Sequence, residues 1–324
     1  LNGSYFFFFF SGYISGGYGT ILYTTDAGIS FVRKNTSSGD LLFSIYFINQ
    51  NTGIAIGLNG TFLRTTTAGE NWDLLYILNG QDLRSISFID GNTGYVCGAG
   101  GTLARTTNAG LNWQIINTGT NGYLTKVYFK DNLTGFVIGE NGFILKTTNS
   151  GLVWNNSSVV SNYLWSICFI NSHTGYIMGS SVVLRTTNSG NSWENMNLFL
   201  GTIYTLNKFD STNLIAAGNG KIFFSSNSGL NWTVTYTSGN ILFHSSTILD
   251  VNSAIVSGMG GSLIKSTNKG VNWTSNTLGN QYSINSINFY NELIGAASTS
   301  NGSLLLTTNA GLNWVERSVD ASTV

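Results

Sequence analysis

A chain of 324 residues with 14 basic and 14 acidic side chains has no net charge, so it offers no general field to draw in nucleic acid or an acidic membrane surface. Charged residues make up 9% of the chain, far below the usual quarter or so, while hydrophobic residues at 42% are enough for a core; the surface is therefore mostly neutral and polar. The longest apolar run, Tyr5–Phe10, falls well short of the roughly 18 to 20 residues that cross a bilayer as a helix, which excludes membrane insertion by that route.

The chain enters a repeating pattern almost at once, which reads as a mature protein whose signal peptide or preceding region has been removed. The pattern is an eight-residue signature of the form Thr-x-Asn-x-Gly-x-Asn-Trp. It occupies Thr24–Phe31, Thr65–Trp72, Thr106–Trp113, Thr147–Trp154, Thr186–Trp193, Ser225–Trp232, Ser266–Trp273 and Thr307–Trp314. Its central glycines, Gly28, Gly69, Gly110, Gly151, Gly190, Gly229, Gly270 and Gly311, are separated by 41, 41, 41, 39, 39, 41 and 41 residues. Between signatures the punctuation is constant. In the third repeat, Leu83–Phe88 alternates as a strand and Ile89–Gly94 is a turn; Tyr95–Cys97 is a second strand, and a glycine cluster at Gly98–Gly101 makes a hairpin into a third. A fourth strand follows the signature at Trp113–Ile116.

Four short antiparallel strands per unit of about 41 residues describe a propeller blade. The expectation is an all-β, eight-bladed β-propeller in one domain, residues 1–324, with blades near 1–40, 41–81, 82–122, 123–162, 163–201, 202–240, 241–281 and 282–324. An open solenoid of β-units is the alternative, since the repeats alone do not show that the ends meet. The absence of proline agrees with strands that each have a neighbour to satisfy. Five consecutive phenylalanines, Phe6–Phe10, have no physical account in this scheme, and Cys97 and Cys168, two repeats apart, read as free thiols.

The signature resembles the Asp-box, or bacterial neuraminidase repeat. The surrounding pattern (Phe88–Asp90, Thr93–Gly98, Gly101–Leu103 and then the box) is similar to the propeller family of photosystem II stability/assembly factors and their secreted bacterial relatives. The resemblance implies a box between the third and fourth strands of each blade. Asn or Asp at its third position can bind the turn's own amides, Gly at the fifth supplies a positive φ, and the aromatic residue at the eighth packs between blades. Only Asp26 keeps the acidic residue, Asn replacing it at Asn108, Asn149, Asn188, Asn227, Asn268 and Asn309 and Thr at Thr67. A repeated calcium site is thereby disfavoured, because hard cations need several charged oxygens. No metal and no cofactor are expected.

Because the scaffold recurs, function is sought where a fixed frame holds unlike residues. The second residue of the innermost strand is Phe43, Arg84, Thr125, Trp165, Tyr204, His244 and Asn285 in successive repeats, and these side chains are expected to ring one mouth of the central channel. Aromatic faces beside directed donors suit a sugar or a peptide; variable channel filling is the alternative. Glu140, in the hairpin after the second strand, is the one carboxylate expected on that face. A second set, Arg64, Arg105, Lys146, Arg185 and Lys265, directly precedes the box and would form a basic arc; the resemblance implies a docking patch there, and blade-edge packing is the alternative.

Asp90, Asp131 and Asp250 share one turn position with Asn49, Asn171 and Asn291 and read as turn formers, and two histidines assemble no triad. The expected function is a non-catalytic, secreted or cell-surface scaffold with a protein or glycan partner, part of a larger surface assembly. One alternative is an assembly-factor-like chaperone docking a protein client in the periplasm or thylakoid lumen. The other is an Asp-box glycoside hydrolase or sialidase.

Overall fold

The computed structural model describes residues 3–7, 11–26, 30–76, 80–276, 278 and 282–317. Gly28 and Phe8–Phe10 lie outside the described residues, as do the side chains of Phe6 and Phe7.

Each of repeats one to five and repeat eight folds as a four-stranded antiparallel sheet, its strands pairing in chain order from the channel outward. The inner strands are Gly3–Phe7, Leu42–Phe47, Leu83–Phe88, Leu124–Phe129, Leu164–Phe169, Ile203–Lys208 and Ile284–Phe289, and repeat seven contributes the second half of a longer strand. That longer strand, Thr233–Ile248, corrects the eight-bladed expectation. It joins repeats six and seven into one six-stranded sheet, so the structure is a propeller of seven blades by sheet, not eight. In other repeats the outer strand is short, only Gln114–Ile115 in repeat three, and a linker then leaves the sheet. Here the connection is rich in Thr, Tyr, Ile and Phe, stays extended, and pairs on one side with Leu214–Ser225 and on the other with Ala254–Gly258.

The ring closes. The inner strand of repeat one lies against that of repeat eight, and Ile14 and Leu22 pack with Ala296, Leu304 and Leu306 across the seam. Among the described residues no strand is exchanged between the first and last sheets, and the seam between them rests on packing. Every blade interface has such a core. Between repeats four and five it contains Phe136, Ile138, Leu164, Ile177, Leu184 and Trp193, all buried.

The boxes behave as the turn chemistry demands. In repeat three the Thr106 hydroxyl accepts from the Asn108 and Gly110 amides, at 3.3 and 3.0 Å, and donates to Asn108 Oδ1, which accepts from the Asn112 amide at 2.9 Å. Box tryptophans pack edge-on to rings of their own and the preceding repeat, as Trp113 does to Phe62 and Phe88. Gly151, with φ +75°, abuts the Tyr95 ring of the preceding repeat so closely that a Cβ has no room.

Candidate functional site

The variable position of the inner strand is a β-bulge. In repeat two, Leu42 pairs with Gly57 and Ser44 with Ile56, which leaves Phe43 unpaired. The same slip isolates Arg84, Thr125, Trp165, Tyr204, His244 and Asn285. Repeat one, which pairs without a slip from Gly3 to Phe7, lacks it. A bulge re-aims the extra residue's side chain out of the ladder. Glycine on the partner strand makes room: at Gly57, Gly98, Gly139, Gly179, Gly218 and Gly258 a Cβ would run into the carbonyl just before the inner strand.

Seven bulges thus aim seven unlike side chains into one place. Phe43, Arg84, Thr125, Trp165, Tyr204, His244 and Asn285, with Leu41 and Leu242, line a single cavity of about 540 Å³ at the channel mouth. The residues brought together are those the sequence frame singled out. One wall is aromatic: Trp165 stacks on Tyr163 with centroids 4.3 Å apart and meets Tyr204 at 5.5 Å. Arg84 places its guanidinium 4.5 Å from the Phe43 ring, a cation–π arrangement that holds the charge at the rim. The Thr125 hydroxyl is committed, donating to the Leu164 carbonyl of the next repeat at 2.7 Å. Burial pushes the His244 imidazole below the ordinary histidine range, so it is neutral at pH 7.

Glu140 lies on the hairpin beside the mouth but does not line the cavity; its Oε2 accepts from the Tyr123 amide at 3.1 Å. Sequence reasoning missed Tyr123 and Tyr163. Both sit two residues before a bulged residue, where other repeats have Leu41, Asp82, Thr202, Leu242 and Ser283, so their signal was variability in the same frame. Burial raises the phenol pKa of each, an effect the nearby Arg84 opposes.

The pre-box cations do not form an open arc. Lys146 and Lys265 are buried, and Arg64, Arg105 and Arg185 are half-buried. Their heads reach into the blade interfaces: Arg64 Nε donates to the Ala109 carbonyl at 3.0 Å, Lys265 Nζ to the Ala310 carbonyl at 2.7 Å, and Lys146 Nζ to Asn191 Oδ1 at 2.6 Å. Arg105 Nε donates to the Tyr95 hydroxyl at 2.8 Å, and Tyr95 donates in turn to the Ser150 carbonyl of the next box. Through these bonds Arg64, Arg105, Lys146 and Lys265 each brace the box of a following repeat.

Asp90, Asp131, Asp210 and Asp250 are turn formers; Asp90 Oδ1, for instance, accepts from the Asn92 and Thr93 amides at 2.7 and 2.6 Å. Cys97 is buried and Cys168 half-buried, and both are free.

A family model described as photosynthesis system II assembly factor YCF48 matches residues 109–243. The chain resembles that assembly-factor family. Among solved structures, "YCF48 bound to D1 peptide" is 21% identical with a TM-score of 0.65, covering 86% of this chain and 94% of the other. YCF48 from Cyanidioschyzon merolae is 18% identical with a TM-score of 0.62, covering 84% and 94%. The computationally designed Ika8 protein shares the fold at a TM-score of 0.76 with 12% identity, covering 95% of each chain. No curated protein matches the chain in sequence. The matches support a BNR-like propeller that resembles the assembly-factor family; the expected secreted, glycan-binding role finds no support in them.

Proposed function

We propose that this chain is a protein-docking propeller, akin to the YCF48 assembly factors, that holds an extended segment of a client protein at the channel mouth. The observation that carries this is the convergence of seven bulged, unlike side chains on one cavity of about 540 Å³. A rigid ring whose recurrent positions make turns and cores, and whose unlike positions meet in one cleft, is built for recognition. Tyr163, Trp165 and Tyr204 offer ring faces to apolar or planar side chains, while Arg84 and Asn285 present directed donors. That one structural neighbour is a YCF48 in complex with a D1 peptide supports a peptide as occupant. The reading places the protein in the thylakoid lumen or a comparable periplasmic space, and it requires no catalytic group.

The test is calorimetric titration of a D1 peptide into the wild-type chain, Trp165→Ala and Arg84→Ala, with Asn112→Ala on the box face as control. An aromatic anchor at the centre of a binding site is worth about 2 kcal/mol or more, so Trp165→Ala should weaken binding by more than about tenfold. Equal affinity in the wild type and both mouth variants, or no binding to the wild type, overturns the proposal.

A further inference from the structure

The chain holds equal numbers of acidic and basic groups, yet its described inner strands are one-sided. Arg84, Lys126 and Lys208 lie on them, and neither these strands nor the second half of the continuous strand in repeat seven carries Asp or Glu. The wall of the channel is therefore cationic in a protein without net charge.

Two of these cations are already engaged. Arg84 rests on Phe43, and Lys208 Nζ donates to the Phe169 carbonyl at 2.7 Å. Lys126 is different. It follows Thr125 by one residue, directly below the mouth, at a position that is Ser44, Ser85, Ser166, Thr205, Ser245 or Ser286 in the other bulged strands. A ring of small hydroxyl residues thus contains one lysine. Lys126 alternates with Val127, which packs toward repeat three among Tyr95 and Cys97, and so it faces repeat five, where Cys168 lies nearby. Among the described residues its amine has neither a hydrogen bond nor an ion pair. Protein packed around it pushes its pKa below the ordinary lysine range.

We propose that the channel below the mouth is a carboxylate-binding site centred on Lys126. Lys126 is half-buried, so its ammonium is partly desolvated without a partner, and a carboxylate supplies both countercharge and acceptor oxygens. The neighbouring strands offer hydroxyl donors in place of competing acids, and the rim carboxylate Glu140 is held by the Tyr123 amide. The carboxylate comes either from an Asp or Glu side chain of the docked segment or from a free organic acid. Only the first source rests on the docking function proposed above.

Acetate is the probe. At constant ionic strength, the Lys126 side-chain NMR signal, assigned with Lys126→Met, should shift saturably with acetate, and its pKa should rise by about one unit, a tenfold gain in proton affinity. Lys126→Met should lose the response, and Lys126→Arg, which keeps the charge, should retain acetate-dependent thermal stabilisation. No saturable shift, or an unchanged acetate response in Lys126→Met, overturns the proposal. Trp165→Ala separates the two readings: lost peptide binding with an intact acetate response leaves this site standing. Intact peptide binding without any acetate response removes the site and leaves the docking function.

Discussion

Replacing Gly151 by alanine tests how the boxes lock one repeat to the next. Two costs meet there. The residue sits at φ +75°, where an L side chain costs about 1–2 kcal/mol, and its Cβ would enter the Tyr95 ring of the preceding repeat, an overpacking worth about 1–3 kcal/mol. Gly119 has φ +74° with nothing within 4 Å, so Gly119→Ala carries the backbone cost alone. Gly91, with open space and an ordinary φ, carries neither. Urea unfolding of the three variants should rank them Gly151→Ala far below Gly119→Ala, and Gly119→Ala below Gly91→Ala, with a total near 2–5 kcal/mol for the first. If Gly151→Ala unfolds at the same urea concentration as Gly119→Ala, the contact between box and preceding repeat contributes nothing and the locking argument fails.

Tyr95→Phe removes the hydroxyl that donates to the Ser150 carbonyl and accepts from Arg105, leaving both without that partner; a loss of about 1–3 kcal/mol in unfolding free energy is expected, and an unchanged urea midpoint would contradict it. For the turn aspartates Asp90, Asp131, Asp210 and Asp250, burial raises the carboxyl pKa, but hydrogen bonds from the turns outweigh it, leaving all four below the ordinary value. Their stabilisation is complete above the unfolded-state pKa of about 3.9 and is lost as pH falls through the lower folded values. Replacing all four by Asn, as at Asn49, Asn171 and Asn291, should flatten the acid limb of the stability curve; an identical acid limb would show that these turns do not set it.

Much of the fold was legible because it recurs. The box announces its turn through Thr, Asn and Gly at fixed offsets, and each occurrence confirms the others. The fusion of repeats six and seven was not legible, because Ser238–Asn240 looks like any other linker and only the extended course of Thr233–Ile248 shows that it stays in the sheet. At the site, the unlike residues of the inner strand stood out against their frame, but the bulge that aims them is a property of pairing register and leaves no mark on one strand alone. For the cations before each box, spacing shows that side chains share a position without showing which way they point. Arg64 and Lys265 reach across the interface to a carbonyl 45 residues on, a contact visible only once the blades are packed. Tyr123 and Tyr163 were overlooked for a simpler reason: they precede the strand and fell outside the aligned frame.

Whether a client segment occupies the channel mouth is best measured by hydrogen–deuterium exchange with and without a D1 peptide. Docking at the mouth predicts slowed exchange in the inner strands around Arg84, Thr125, Trp165 and Tyr204 and in the hairpin at Glu140–Gly142, with the boxes unchanged. Protection confined to the boxes at Thr65–Trp72 and Thr106–Trp113, or no protection at any segment, would contradict it.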